Sequence, residues 1–419
     1  MVSKGWLFLF LCLPFSTKAQ DINRVRQNLD ALCAPEMHGR GYVKDGDKKA
    51  AAFIQKQFQE AGLKTFAGNY FQTFSLPVNT VSEVELKLDD RKLKPGLEFI
   101  PDAAISSGKG KLKILPLDTL IYSDEKRGEV FLKQNLQTIA LLVPEKFWMK
   151  RSILPNEFAQ KMQTAGAVLI SHPQKFTYTV AKSQNPQPQF DVLQKTPGKT
   201  PKKLKYEVEA KLIQDYQTQN VIGFIPGKLQ PDSFLIFTAH YDHLGRIDEN
   251  TYFPGANDNA SGTSLLLELA HHFARPENQP DYSIAFMAFG AEEAGLVGSR
   301  FYVENPLFPL RQIKFLVNLD LTGTGDAGLM VVNGKIHEKE FAQLQKLNTE
   351  KRYFPELKSR GKAANSDHFP FSEKGVPAFF FYTLGGVTYY HDVQDKPETL
   401  PLTKYRELFS LILDFARLQ

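Results

Sequence analysis

The sequence predicts an α/β protein whose sheet is covered by helices on both faces, with a β-rich segment inserted into it. Three observations lead there. From Tyr206 onward, short apolar runs at 220–226, 234–239, 283–289, 314–319 and 376–382 alternate with helix-patterned stretches, as strands buried on both faces do. Four of these runs end in, or lead shortly to, residues with metal-binding chemistry, and open α/β sheets keep their sites at the carboxyl ends of strands. Residues 77–204 have a different character, with short alternating runs, many turns and little sign of such ligands.

Length and composition fit this reading. The 419 residues suffice for a large domain plus a second, and 42% hydrophobic with 23% charged residues is the make-up of a globular protein. A net charge of +5 is modest and concentrated nowhere, so neither nucleic acid nor an acidic membrane is an expected partner. One lysine and the apolar Trp6-Leu-Phe-Leu-Phe-Leu-Cys-Leu-Pro-Phe15 open the chain as a secretory signal peptide cut after Ala19. That run is too short to span a bilayer, so no stable membrane insertion is expected after cleavage. The mature chain would keep a single cysteine, Cys33, which excludes an internal disulfide and reads as buried filler. Nothing in the sequence marks an oligomeric state.

In chain order, residues 21–32 and 47–63 space apolar side chains helically, the second stretch ending on Gly62, a C-cap residue. Between them lies the glycine-rich Met37-His-Gly-Arg-Gly-Tyr42, in which His38 is read as structural. Residues 65–76 read as a strand through Phe66, Tyr70, Phe71 and Phe74. Within 77–204, alternating runs fall at 81–88, 111–117 and 138–143. A helix starting at Glu157 hands over through Ala165-Gly-Ala to a strand ending at Ile170, and a Pro/Lys-rich loop of solvated lysines closes the stretch. Further helices fit at 262–274, near 259–262 for its start, then at 294–304, 336–349 and 403–418.

The candidate site residues are His240 and Asp242, then Asp258, then Glu292 and Glu293, then Asp320, then His391. Mixed carboxylate and imidazole donors suit zinc, with manganese or cobalt as substitutes, and the lack of thiolate disfavours a structural zinc. One carboxylate can bridge two metals. An isolated Glu-Glu is usually solvated and a lone histidine after a strand is usually a satisfied core residue; it is their order at successive strand ends that points to a site. His243, His271, His272 and His337 are assigned no function, and His172 is assigned to the surface. Ser366-Asp367-His368 is open between a hydrogen-bonded structural loop and part of a substrate pocket.

Together His240-x-Asp242, Gly255-Ala-Asn-Asp-Asn-Ala-Ser-Gly262, Gly290-Ala-Glu-Glu-x-Gly-Leu-x-Gly-Ser299, Asn318-Leu-Asp320, Ser366-Asp-His368 and Tyr390-His391 resemble the co-catalytic di-zinc exopeptidases. That family includes bacterial leucyl aminopeptidases, aminopeptidase Y and glutamate carboxypeptidase. The resemblance implies a mixed, mostly parallel central sheet. It divides the chain into a signal peptide at 1–19, a catalytic domain at 20–76 and 205–419, and an insert at 77–204 similar to a protease-associated domain. By position it implies two zinc ions per chain: His240 and Asp320 hold one, Glu293 and His391 the other, and Asp258 bridges them. Glu292 is then free to act as base, and Asp242 would orient the His240 imidazole through its second nitrogen. Tyr390 matches a position where some relatives place a tyrosine on the tetrahedral oxyanion.

The function implied is that of an exported aminopeptidase acting on peptide substrates. Glu292 would take the proton of a metal-bridging water and return it to the leaving amine. Periplasm, cell surface and medium all fit an exported chain. A carboxypeptidase or dipeptidase is the nearest alternative, because the metal site does not state which peptide end is bound. Glutaminyl cyclases share the fold with one zinc, whereas all five ligands are present here. From another class, a peptidase-like binding protein without catalysis would be expected to have replaced a ligand or the base, and neither is replaced.

Overall fold

In a computed structural model the described residues are 20–66, 68–153, 155–194 and 200–419. The expected signal peptide, 1–19, lies outside them. The helices are α1 (Ile22–Leu32), α2 (Gly46–Glu60), α3 (Glu125–Lys133), α4 (Glu145–Trp148), α5 (Asn156–Gln163), α6 (Gly262–Phe273), α7 (Val297–Glu304), α8 (Glu338–Lys351), α9 (His368–Glu373) and α10 (Tyr405–Ala416). The strands are β1 (Phe71–Leu88), β2 (Arg91–Lys92), β3 (Phe99–Pro101), β4 (Gly108–Pro116), β5 (Ile139–Pro144), β6 (Ala167–His172), β7 (Gln189–Leu193), β8 (Lys203–Ile225), β9 (Gln230–His240), β10 (Tyr282–Phe289), β11 (Ile313–Leu319), β12 (Gly328–Val332), β13 (Leu357–Arg360) and β14 (Ala378–Leu384).

The central sheet runs β13-β12-β14-β11-β9-β10-β8. β9 pairs in parallel with β10 and β11, and β11 with β14, so these four strands present their C-terminal ends on one edge. β8 and β12 pair antiparallel with β10 and β14, and β13, parallel to β12, runs the same way as β12. The sheet is therefore mixed and mostly parallel. Alternate residues of β9 serve the two faces: Leu235, Phe237 and Ala239 enter a core with α1, α2, α6 and α10, while Phe234 and Ile236 pack with Tyr302 of α7 and Phe371 of α9. A strand apolar on both faces needs helices on both sides.

Helix α2 buries Ala50, Ala51, Ile54 and Phe58, one stripe at i, i+4 and i+8. It ends where Gly62 takes φ 76° and the Leu63 N–H donates to the Phe58 carbonyl at 3.0 Å, a glycine-closed C-terminus. Helix α7 begins at Val297, later than its sequence pattern suggests, because the turn after β10 extends through Leu296 at φ 59°.

The strand expected over 65–76 starts instead at Phe71 and continues through Pro77 to Leu88. It pairs with all but the last residues of the long β8, with register shifts at Leu76/Val78 and Val81/Glu83. Such bulges let a strand carry a proline without losing its partner. The ribbon β1/β8 also carries β4, from which β5, β6 and β7 continue in parallel. Their apolar residues form separate cores, one holding Phe99, Leu169 and Phe190 and another Phe131, Phe158 and Val168. No described helix is long and apolar enough to cross a membrane.

Candidate metal centre

His240 ends β9, Asp320 follows β11, Glu292 and Glu293 follow β10, and His391 lies in the loop after β14. Asp258 sits in the irregular turn Ala256–Ser261 that leads into α6. The parallel strands thus deliver every one of these side chains to the same edge. They line a cavity of about 230 Å³ whose remaining wall is Leu321, Asn365, Phe380, Tyr382 and Tyr390.

Within it, the Asp258 carboxylate divides its two oxygens. Oδ1 lies 3.3 Å from His240 Nε2, which is itself 3.4 Å from Asp320 Oδ1. Oδ2 lies 3.3 Å from His391 Nε2, which is 3.2 Å from Glu293 Oε2. A zinc ion holds N and O donors at ~2.0–2.2 Å, so two donors at a tetrahedral angle sit ~3.3–3.5 Å apart. The spacings here are the edges of two such tetrahedra with Asp258 in common. Asp320 Oδ1, buried among them, has no hydrogen-bond partner among the described residues. The donor set, carboxylate and imidazole without thiolate, fits zinc.

Each donor is held from behind. Asp320 Oδ2 accepts from Ser366 Oγ at 3.0 Å, and Ser366 accepts from Asn318 Nδ2 at 2.8 Å, so Ser366 acts on the site through Asp320. Asp367 and His368 are buried, and the cavity wall there is Asn365. The His391 ring is stacked by Tyr390, with centroids 4.0 Å apart, and its Nδ1 is 2.8 Å from the Tyr178 carbonyl. The turn carrying Asp258 hangs on Asp395, whose carboxylate accepts the amides of Asn257 and Asp258 at 2.9 and 3.0 Å.

Asp242 behaves differently from the expectation. His240 Nδ1 lies 3.2 Å from the Asp242 main-chain carbonyl, while the carboxylate is 3.8 Å away. That carboxylate instead accepts the amides of Glu292 and Glu293 at 3.0 and 3.2 Å. Two convergent N–H donors outcompete one more distant imidazole nitrogen. The residue thereby fixes the glutamate turn.

Three histidine and arginine positions depart from the sequence reading. His243, assigned no function, is buried with Nδ1 2.7 Å from Glu293 Oε1, and it forms a second grouping of possible ligands with Asp258 and Glu293. His172, assigned to the surface, is buried and bonded to Asp191. Arg40, in the glycine-rich loop, is fully buried and donates to the carbonyls of Leu32, Tyr241, Gly255 and Asp258 at 3.1, 2.7, 2.8 and 3.3 Å. Its signal in sequence was the pair of glycines around it, Gly39 and Gly41, whose missing side chains let the backbone lie against Gly245.

Electrostatics separate the carboxyls. Burial pushes Asp258 up, but hydrogen bonds with His240 and His391 more than offset it and hold it well below the usual range. Burial and Asp258 likewise raise Glu293, while His391 and His243 draw it down to about 2. For Glu292 burial wins, helped by the charges of Asp367, Glu293 and Asp320, and its carboxyl stands well above the ordinary value. Burial also lifts Asp242 to about 7.

A mostly parallel sheet covered by helices, with carboxylate and imidazole side chains gathered at its strand ends, is a class of fold also found in a zinc aminopeptidase of known structure. Solved structures of that class align along nearly the whole chain: a zinc aminopeptidase from Bacillus subtilis over 95% of this chain and 94% of its own, with TM-score 0.67 and 21% identity, and a peptidase M28 precursor from Shewanella amazonensis over 96% and 94%, with TM-score 0.72 and 15% identity. Residues 220–416, just under half of the chain, match the model of peptidase family M28. Among curated relatives, aminopeptidase YwaD of Bacillus subtilis is 31% identical over 215 residues, 49% of this chain and 45% of its own length. Leupeptin-inactivating enzyme 1 of Streptomyces exfoliatus is 32% identical over 165 residues, 38% of this chain and 34% of its own. The matches thus span less than half the length of either relative.

Proposed function

We propose that the chain is an exported zinc exopeptidase that removes N-terminal residues from peptides and holds two zinc ions. The observation that carries this is the division of the Asp258 oxygens between the His240/Asp320 and His391/Glu293 pairs. Zinc, when bound, supplies polarisation of the scissile carbonyl and a lowered pKa for water, and its charge draws the Glu292 carboxyl down from the range that burial imposes.

Glu292 takes the proton of the attacking water and returns it to the leaving amine. Support comes from its neighbour: two adjacent carboxyls whose environments push them apart divide into a ligand and an acid–base group. Asp242 holds the turn so that the two side chains diverge. Tyr390 takes the role of oxyanion donor, a reading supported by its position lining the cavity. Phe380, Tyr382 and Leu321 exclude water from the far wall. Residues 77–204 are read as an inserted unit of protease-associated type, and residues 1–19 as an export signal.

The test is hydrolysis of aminoacyl-p-nitroanilides and their N-acetylated counterparts by the purified chain, before and after chelation and with zinc restored. Cleavage of free-amine substrates alone, lost with chelator and regained with zinc, is the expected result. Two bound zincs without cleavage would overturn the N-terminal assignment and direct the search to dipeptides and C-terminal substrates.

A further inference from the structure

Between β6 and β7 the chain runs from Pro173 to Pro188 without forming a strand of its own, bonded to the sheet at Ala181 and Pro188. Its middle alternates: Phe176, Tyr178 and Val180 are at least partly buried, whereas Thr177 and Thr179 are exposed. An extended strap with period two therefore turns one side onto the rest of the molecule. What that side meets is the metal centre's loops.

The Tyr178 N–H donates to the His391 carbonyl at 3.2 Å, and the Tyr178 carbonyl lies 2.8 Å from His391 Nδ1. A carbonyl only accepts, so Nδ1 carries the proton and Nε2 is the nitrogen offered to Asp258 and Glu293. His391 itself has φ 53°, a left-handed conformation that a non-glycine residue keeps only when its surroundings hold it. Lys175 Nζ adds a bond to the Thr388 carbonyl in the same loop at 2.7 Å. The Tyr178 ring stacks flat on Phe253, with centroids 4.9 Å apart and planes at 6°, in the loop leading to Asp258. Val180 packs against the apolar cluster that includes Ala291 and Ala294, which flank the two glutamates. One strap from the inserted stretch thus touches the loops of His391 and Asp258 and packs on the cluster under the glutamate turn. His240, by contrast, finds its Nδ1 partner within its own loop, at the Asp242 carbonyl.

We propose that Tyr178 is a positioning residue for the metal centre: the inserted strap sets the tautomer and orientation of His391 through the Tyr178 main chain, so the Glu293–His391 half of the site is complete only with the strap seated. The inference rests on the two-zinc reading above. Outer partners of metal-bound histidines typically contribute about 10- to 100-fold in metal affinity.

The experiment measures zinc stoichiometry and affinity of the full chain by equilibrium dialysis against graded chelator, with circular dichroism as the check on folding. Wild type and Tyr178→Phe, which keeps the stacked ring, are expected to bind two zincs alike. Tyr178→Ala is expected to keep one zinc at wild-type affinity and to bind the other about 10- to 100-fold more weakly. Lys175→Ala, an exposed change that leaves the core alone, is expected to weaken that same zinc several-fold, and it decides the matter should Tyr178→Ala not fold. If wild type binds two zincs and both alanine variants bind them equally tightly, this inference is overturned while the metal site stands. If wild type binds none, both fall.

Discussion

The carboxyls of Glu292 and Glu293, one peptide bond apart and both anchored by their amides to the Asp242 carboxylate, are driven in opposite directions, Glu292 up and Glu293 down. The division predicts distinct phenotypes. Glu292→Gln should lower kcat about 10²- to 10⁴-fold with zinc content unchanged. Glu293→Gln should instead lose zinc. Steady-state kinetics alongside metal analysis separates the two, and zinc loss from Glu292→Gln would contradict its assignment as base.

His243 gives a second prediction. Burial lowers its pKa and keeps it neutral, so Nδ1–H donates to Glu293 Oε1 while Nε2 lies buried without a partner. His243→Ala removes the one side chain that, among the described residues, bonds that oxygen and should weaken zinc at the Glu293 side about 10-fold or more. His243→Asn, whose amide can donate from nearly the same place, should recover most of it. Chelator competition reads the difference, and equal affinities in all three proteins would refute the role.

Arg40 predicts a stability effect. Its guanidinium satisfies buried carbonyls on both sides of the Asp258 turn. Arg40→Met would leave them unpaired at a cost of about 3 kcal/mol or more. Urea denaturation should show a lower midpoint with an unchanged m-value. A midpoint equal to that of wild type would mean the carbonyls find other donors.

These features show what sequence can and cannot carry. The apolar runs ending at Ala239, Phe289, Leu319 and Tyr382 correspond to β9, β10, β11 and β14, because strands buried on both faces are apolar at every position. Edge strands lack that signature: β13 reads Leu357-Lys-Ser-Arg360, with no apolar run to mark it. The long β1/β8 ribbon was broken at Pro77, which the structure absorbs in a bulge. Arg40 and Tyr178 are not singled out by the sequence, and His243 reads as a histidine without function, because each acts on a residue far away in sequence, through burial that local patterning does not encode. The Asp242 carboxylate was assigned to the imidazole two residues before it, whereas its partners lie 50 residues on.

The pair His271 and His272 predicts a pH effect. Burial lowers both to about 4 from an ordinary value near 6.5. Between those values the unfolded chain binds protons that the folded chain refuses, so stability falls as pH drops from 6.5 to 4. With both rings partly solvated, the loss is about 1 kcal/mol each. The double variant His271→Gln, His272→Gln should show a shallower fall in thermal midpoint over that window than wild type. Parallel curves would contradict the burial effect.

The most direct test of the two-zinc site is anomalous scattering at the zinc edge from crystals of the full chain grown with zinc. Two peaks ~3.5–4 Å apart, with one Asp258 oxygen on each, His240 and Asp320 on the first and Glu293 and His391 on the second, are the predicted result. A single peak, or two that do not share Asp258, would contradict it.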